Sequence, residues 1–123
     1  MKSKGFLLPI IFTSFLFSQD LNILTYNIHG LNPIIAGDDP YNRIPIILSK
    51  ITEYDIIFFQ ENWIYDNNSF SSMLESYNVF TSSDSKFFWP MNKLINSNGA
   101  GLSLAISKSI DLIDSNEYSF ECC

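Results

Sequence analysis

Histidine occurs once in the 123 residues, at position 29, and cysteine twice, at the adjacent positions 122 and 123. A single imidazole excludes a site built on two histidines, whether a metal centre or an acid–base pair. Neighbouring cysteines do not readily pair with each other, because the peptide between them strains the disulfide. Basic side chains are also scarce: 7 Lys and Arg stand against 13 Asp and Glu, a formal charge of −6. That balance argues against non-specific nucleic-acid binding through basic patches. It leaves open a divalent-metal enzyme acting on phosphate esters, because the ion supplies positive charge locally. Apolar runs are short as well. The longest, the almost unbroken Gly5–Phe17, falls below the roughly 20 residues that a membrane-spanning helix needs.

That run has a meaning of its own. Lys2 and Lys4 precede it and Ser18, a small residue, closes it. A basic start, a short apolar stretch and a small residue at the cleavage point make the pattern of a secretory signal peptide over residues 1–18. An uncleaved anchor or a first core strand are the alternatives. Without residues 1–18 the chain loses two lysines and no acid, leaving 5 basic and 13 acidic side chains and a charge of −8. A signal peptide implies a secreted or periplasmic protein. The far end reads EYSFECC, strand-like to its last residue. We read residues 19–123 as the N-terminal part of a longer domain; a natural terminus carrying two reactive thiols is the alternative.

Between these ends the pattern alternates strand and helix. Asp20–Ile28, DLNILTYNI, is rich in β-branched and apolar residues on both faces, which predicts a central strand. Residues 31–41 carry Pro33, Gly37, Asp38, Asp39 and Pro40 and read as a loop. Residues 42–53 place Ile44, Ile47, Leu48 and Ile51 on one helical stripe, with Asn42 as N-cap and Pro45 in the first turn. Ile56–Gln60 is the next strand. Strand, helix, strand predicts a parallel pair with a crossover helix. Parallel strands deliver their C-terminal ends to one sheet edge, where ligands bind in open α/β sheets. Asn27 and Glu61 stand at those ends. Further on we expect a helix over 68–76, a strand over 77–82, a long loop over 83–98, a strand over 99–107, and short strands at 110–113 and 118–122. Asn67-Asn68-Ser69 is a glycosylation sequon.

Neither Asn27 nor Glu61 says much alone, since Asn at a strand end is commonly a turn former and Glu after a strand is commonly solvated. The surrounding words say more. LTYNIHG (24–30), a helix beginning near Arg43, DIIFFQE (55–61) and GAGLSLAISK (99–108) occur in this order. That series resembles the endonuclease/exonuclease/phosphatase superfamily, the DNase I-like metal-dependent phosphodiesterases, across residues 20–123. The resemblance implies an α/β (α+β) fold: part of a four-layer sandwich of two mixed β-sheets flanked by helices. It implies that Glu61 binds a divalent cation, Mg²⁺ or another, through hard oxygen ligands. Asn27 would help to position both the metal and the phosphate, a catalytic as well as a metal-site role.

YSFEC (118–122) resembles a segment that the sphingomyelinase-like branch carries after the glycine-led strand, and that resemblance implies a phospholipid at a membrane surface as the phosphate-ester substrate. No stable nucleic-acid complex is expected, and the full-length protein would be a monomer. In this family the general-base histidine, its aspartate partner and the residues orienting water lie in the second half of the fold. These 123 residues therefore should hydrolyse nothing alone. His29 reads as a turn residue beside the site. Trp63 and Phe87-Phe88-Trp89 read as packing residues or as a lipid contact. A secreted nuclease parent and a non-catalytic secreted binding module are the competing readings.

Overall fold

The computed structural model describes residues 20–82 and 100–118. Four strands and three short helices occur among them. They are β1 (Ile23–Gly30), α1 (Pro33–Ala36), α2 (Pro40–Leu48), β2 (Ile56–Asn62), α3 (Asn67–Met73), β3 (Tyr77–Thr81) and β4 (Ser103–Ser107). The strands form one mixed sheet in the order β1-β2-β4-β3. β1 and β2 are parallel, as the strand–helix–strand pattern requires. β4 runs antiparallel to both its neighbours. Among the described residues the fold is thus a small α/β domain with one mixed sheet.

Capping chemistry explains where the helices begin. The segment read as a loop over 31–41 contains α1. Asn32 Oδ1 accepts the Ile34 N–H at 3.0 Å, Pro33 opens the helix, and left-handed Gly37 closes it. Pro at the start and Gly just past the end are helix punctuation; here they are only four residues apart. α2 begins at Pro40 rather than at residue 42. Its N-cap is Asp39, whose Oδ1 accepts the Asn42 N–H, so Asn42 lies inside the helix. Pro45 consequently falls mid-helix, where it offers no N–H to the carbonyl of Tyr41. α2 also stops at Leu48, short of residue 53. Lys50 N–H bonds to Ile47 O and Ile51 N–H to Leu48 O. Tight i→i+3 turns thus carry Ile51 into the core without a continuing helix. α3 is capped by Asp66, whose Oδ1 accepts the Ser69 N–H at 2.7 Å.

The core lies between the sheet and α2 and α3. Ile44 and Leu48 from α2, Phe70 from α3, and Ile28, Ile57, Phe59, Tyr77 and Ala105 from the sheet are buried together. Phe59 and Phe70 meet edge to face, ring centres 5.1 Å apart. The opposite sheet face is a second apolar surface. Register aligns Thr25, Phe58, Leu104 and Phe80 in one row and Ile23, Ile56, Ile106 and Asn78 in the next. Of these, Ile23 is 55% and Phe58 44% exposed.

Three strand expectations change. β1 lies at an edge of the described sheet, although its two-sided apolar pattern reads as central. Its outward residues Ile23, Thr25 and Asn27 are exposed, so the pattern reports a second apolar face rather than a second neighbour. Residues 110–113 form no strand: Leu112 and Ile113 are exposed without ladder partners among the described residues. β4 starts at Ser103, because left-handed Gly101 (φ 72°) turns the chain before it. The loop 83–98 and all but the first residue of the 118–122 strand lie outside the described residues.

Candidate functional site

The site grows out of a mismatch at the ends of β1 and β2. Pairing runs evenly from Ile23↔Ile56 to Asn27↔Gln60, then jumps to Gly30↔Asn62. Three steps along β1 match two along β2, so β1 carries one extra residue, a bulge at Ile28-His29. His29 (φ 48°) and Glu61 (φ 59°) both adopt the left-handed region. That conformation costs a non-glycine residue roughly 1–2 kcal/mol. Two such residues at neighbouring strand ends mark a place where geometry is held against local preference.

The turn at Glu61 explains how a buried strand presents a carboxylate. Ile57 and Phe59 face the core, and strict alternation would send residue 61 in after them. Left-handed backbone breaks the alternation, turning the Glu61 side chain outward to 37% exposure and giving the inward position to Asn62. Asn62 is fully buried; its Nδ2 donates to Ser103 Oγ at 2.8 Å and its N–H to the Gly101 carbonyl at 2.9 Å. Asn62 Oδ1 is buried without a hydrogen-bond partner among the described residues, a group that a bound water would satisfy.

Asn27 and Glu61 meet through His29. The His29 N–H donates to Asn27 Oδ1 at 2.8 Å, while its Nδ1 lies 3.2 Å from Glu61 Oε2. Asn27 thus folds back on its own strand as an Asx turn, leaving its Nδ2 donors directed to no partner among the described residues. His29 is the turn residue the sequence suggests, and it also contacts the site carboxylate. Arg43 secures the same turn from α2: Nη1 donates to Ile28 O at 2.8 Å and Nη2 to His29 O at 2.9 Å. Its Nε donates to Asp38 Oδ2 at 2.9 Å. Gly30 completes the packing, since a Cβ there would sit 2.7 Å from the Glu61 carbonyl oxygen. Sequence reasoning missed Asn62, Gly30 and the role of Arg43. Each acts through a contact distant in the chain, for which only Gly30, beside a strand end, leaves a local signal.

Trp63 is half-buried, with its ring over Gly101; a Cβ at Gly101 would meet Trp63 Cε2 at 2.6 Å. Phe87-Phe88-Trp89 and the two cysteines lie outside the described residues.

The donors present fit a hard divalent cation in one specific sense. Among the described residues no group of three or more His, Cys, Asp or Glu converges, so a cage made wholly of protein is not formed by them. Mg²⁺ keeps several waters and is commonly bound through one or two carboxylates plus substrate phosphates. A half-exposed Glu61, contacted by His29 whose own N–H bonds the Asn27 amide oxygen, matches that mode. Two shallow hollows among the described residues lie elsewhere. One of about 360 Å³ is lined by Asp20, Leu21, Asp55, Ser109 and Ile110, where β1 and β2 begin. No described helix is long and apolar enough to cross a membrane.

No protein-family model, curated protein or solved structure matches the chain.

Proposed function

We infer that this chain is the N-terminal part of a secreted, metal-dependent phosphodiesterase or phosphatase of the DNase I-like type, with a sphingomyelinase-like phospholipase C as the favoured branch. One observation carries the reading: His29 joins Asn27 and Glu61 at the common C-terminal edge of two parallel strands, with two strained residues holding them there. The order LTYNIHG, DIIFFQE, GAGLSLAISK supports it from the sequence side. The apolar outer face of the sheet supports the finer fold, in which a second sheet packs against it to complete a four-layer sandwich.

In this reading Glu61 holds the cation, and His29 fixes which way the carboxylate faces. The Nδ2 donors of Asn27 address a phosphate oxygen, which positions the ester. When bound, Mg²⁺ supplies Lewis-acid stabilisation of charge building up on the phosphoryl group. The single histidine is engaged with Glu61 and with the turn. The family resemblance places the general-base histidine in the second half of the fold, so these 123 residues are expected to bind the ion but not to turn substrate over.

Mn²⁺, a paramagnetic stand-in for Mg²⁺, tests the metal assignment by electron paramagnetic resonance on the full chain. Wild type should bind it, and Glu61→Gln should weaken binding by more than about 10-fold, the lower range for losing even an indirect partner of a metal. Equal affinity in the two removes Glu61 from the site. The coding DNA past the codon for Cys123 tests the wider assignment. A downstream histidine with Asp-x-Asn and a terminal Asp-His supports it, and an immediate stop codon overturns it. Hydrolysis of choline-phospholipid vesicles against hydrolysis of DNA by that longer product separates the phospholipase branch from the nuclease one.

A further inference from the structure

The bulge that builds the site also creates a hydrogen-bonding problem. Ile28 and His29 fall outside the β1–β2 register, so their carbonyls need other donors. Both are taken by one guanidinium, that of Arg43, at 2.8 and 2.9 Å. The third contact of the fork, to Asp38 at 2.9 Å, fixes its plane. Arg43 stands four positions into α2, whose Ile44 and Leu48 are locked in the core. The helix, and not the strand pair, therefore dictates where the left-handed turn at His29 lies. That turn aims Nδ1 at Glu61 and the His29 N–H at Asn27.

We propose that Arg43, oriented by Asp38, is the positioning residue of the candidate site. It sets the alignment of Asn27, His29 and Glu61 through two backbone carbonyls and touches neither metal nor substrate. This inference deepens the metal-site reading above and rests on it for its consequence, though not for its geometry. Lysine cannot take over the role, because a point ammonium lacks the planar fork that spans two carbonyls and a carboxylate.

The sole histidine in the chain makes the test clean, since its imidazole gives one set of ¹⁵N signals without assignment overlap. Four full-length chains are compared by NMR: wild type, Glu61→Gln, Arg43→Lys and Asp38→Asn. Arg43→Lys should move the His29 Nδ1 signal toward its position in Glu61→Gln, and Asp38→Asn should move it the same way. The amide signals of β3 and β4, away from the turn, should stay at their wild-type positions. Mn²⁺ affinity should fall about 10-fold in Arg43→Lys. A His29 signal unmoved in both variants overturns the proposal. So does general loss of amide dispersion in both, which would assign Arg43 to stability alone. If the wild-type chain binds no Mn²⁺ while the His29 signal moves as expected, the metal reading fails and the positioning role stands.

Discussion

At Glu61 conformation and chemistry pull in opposite directions. A left-handed backbone (φ 59°) suits glycine, yet the position holds a carboxylate. Glu61→Gly should relieve the strain of roughly 1–2 kcal/mol, offset in part by glycine's larger entropy loss on folding. The expected result is a chain as stable as wild type, or more stable by about 0.5 kcal/mol, in urea unfolding, with Mn²⁺ binding lost. A clear loss of stability would mean that Glu61 is held there by packing and not retained for its carboxylate. The placement of Asn27 and Glu61 near neighbouring strand ends is legible from the sequence because strand ends are visible as breaks in apolar runs. Their junction through His29 is not. It depends on two positive φ values and a one-residue bulge, and neither leaves a mark in residue order when the residues concerned are not glycine.

Elements followed the sequence where local patterning dominates and departed from it where capping decides. Apolar periodicity located α2, but Asp39 and Pro40 set its start three and two residues before the stripe's first polar neighbour, Asn42. Pro45 is thereby left inside the helix. Pro45→Ala should restore the N–H that pairs with Tyr41 O and raise stability by about 1–3 kcal/mol; thermal unfolding reports it as a higher midpoint. α3 offers a pH-dependent case. The Ser69 backbone N–H bonded to Asp66 holds that carboxyl below its ordinary value of 3.8. A pKa lowered on folding contributes stability that is present above the unfolded value and lost as pH falls through the folded one. Amide exchange in α3 should therefore quicken as pH drops below the usual carboxylate range, after correction for intrinsic exchange rates. Asp66→Asn keeps a capping oxygen without the charge, so that extra quickening should vanish in it. Persistence of the same acid dependence in Asp66→Asn would place its origin elsewhere.

At the scale of the molecule, the governing feature among the described residues is a sheet with two apolar faces and described helices on one of them. Phe58, 44% exposed in the middle of the open face, is flanked by Leu104 across the ladder. Phe58→Glu should leave the cooperative unfolding free energy of the chain within about 0.5 kcal/mol, since it disturbs none of the buried cluster. It should also raise the concentration at which light scattering detects association. Unchanged association would show that this face is not the adhesive one. The sequence by itself determined the strand–helix–strand order, the parallel pair and the two side chains at its ends, because hydrophobic period and chain direction are local properties. Only the tertiary structure decided that β1 stands at the edge of the described sheet and that β4 inserts between β2 and β3. It likewise decided that a helix arginine fixes the turn on which the candidate site is built. Those outcomes depend on register, a left-handed twist of two residues and hydrogen bonds between positions 14 and 15 apart in the chain, which take shape only once the sheet and helix have packed.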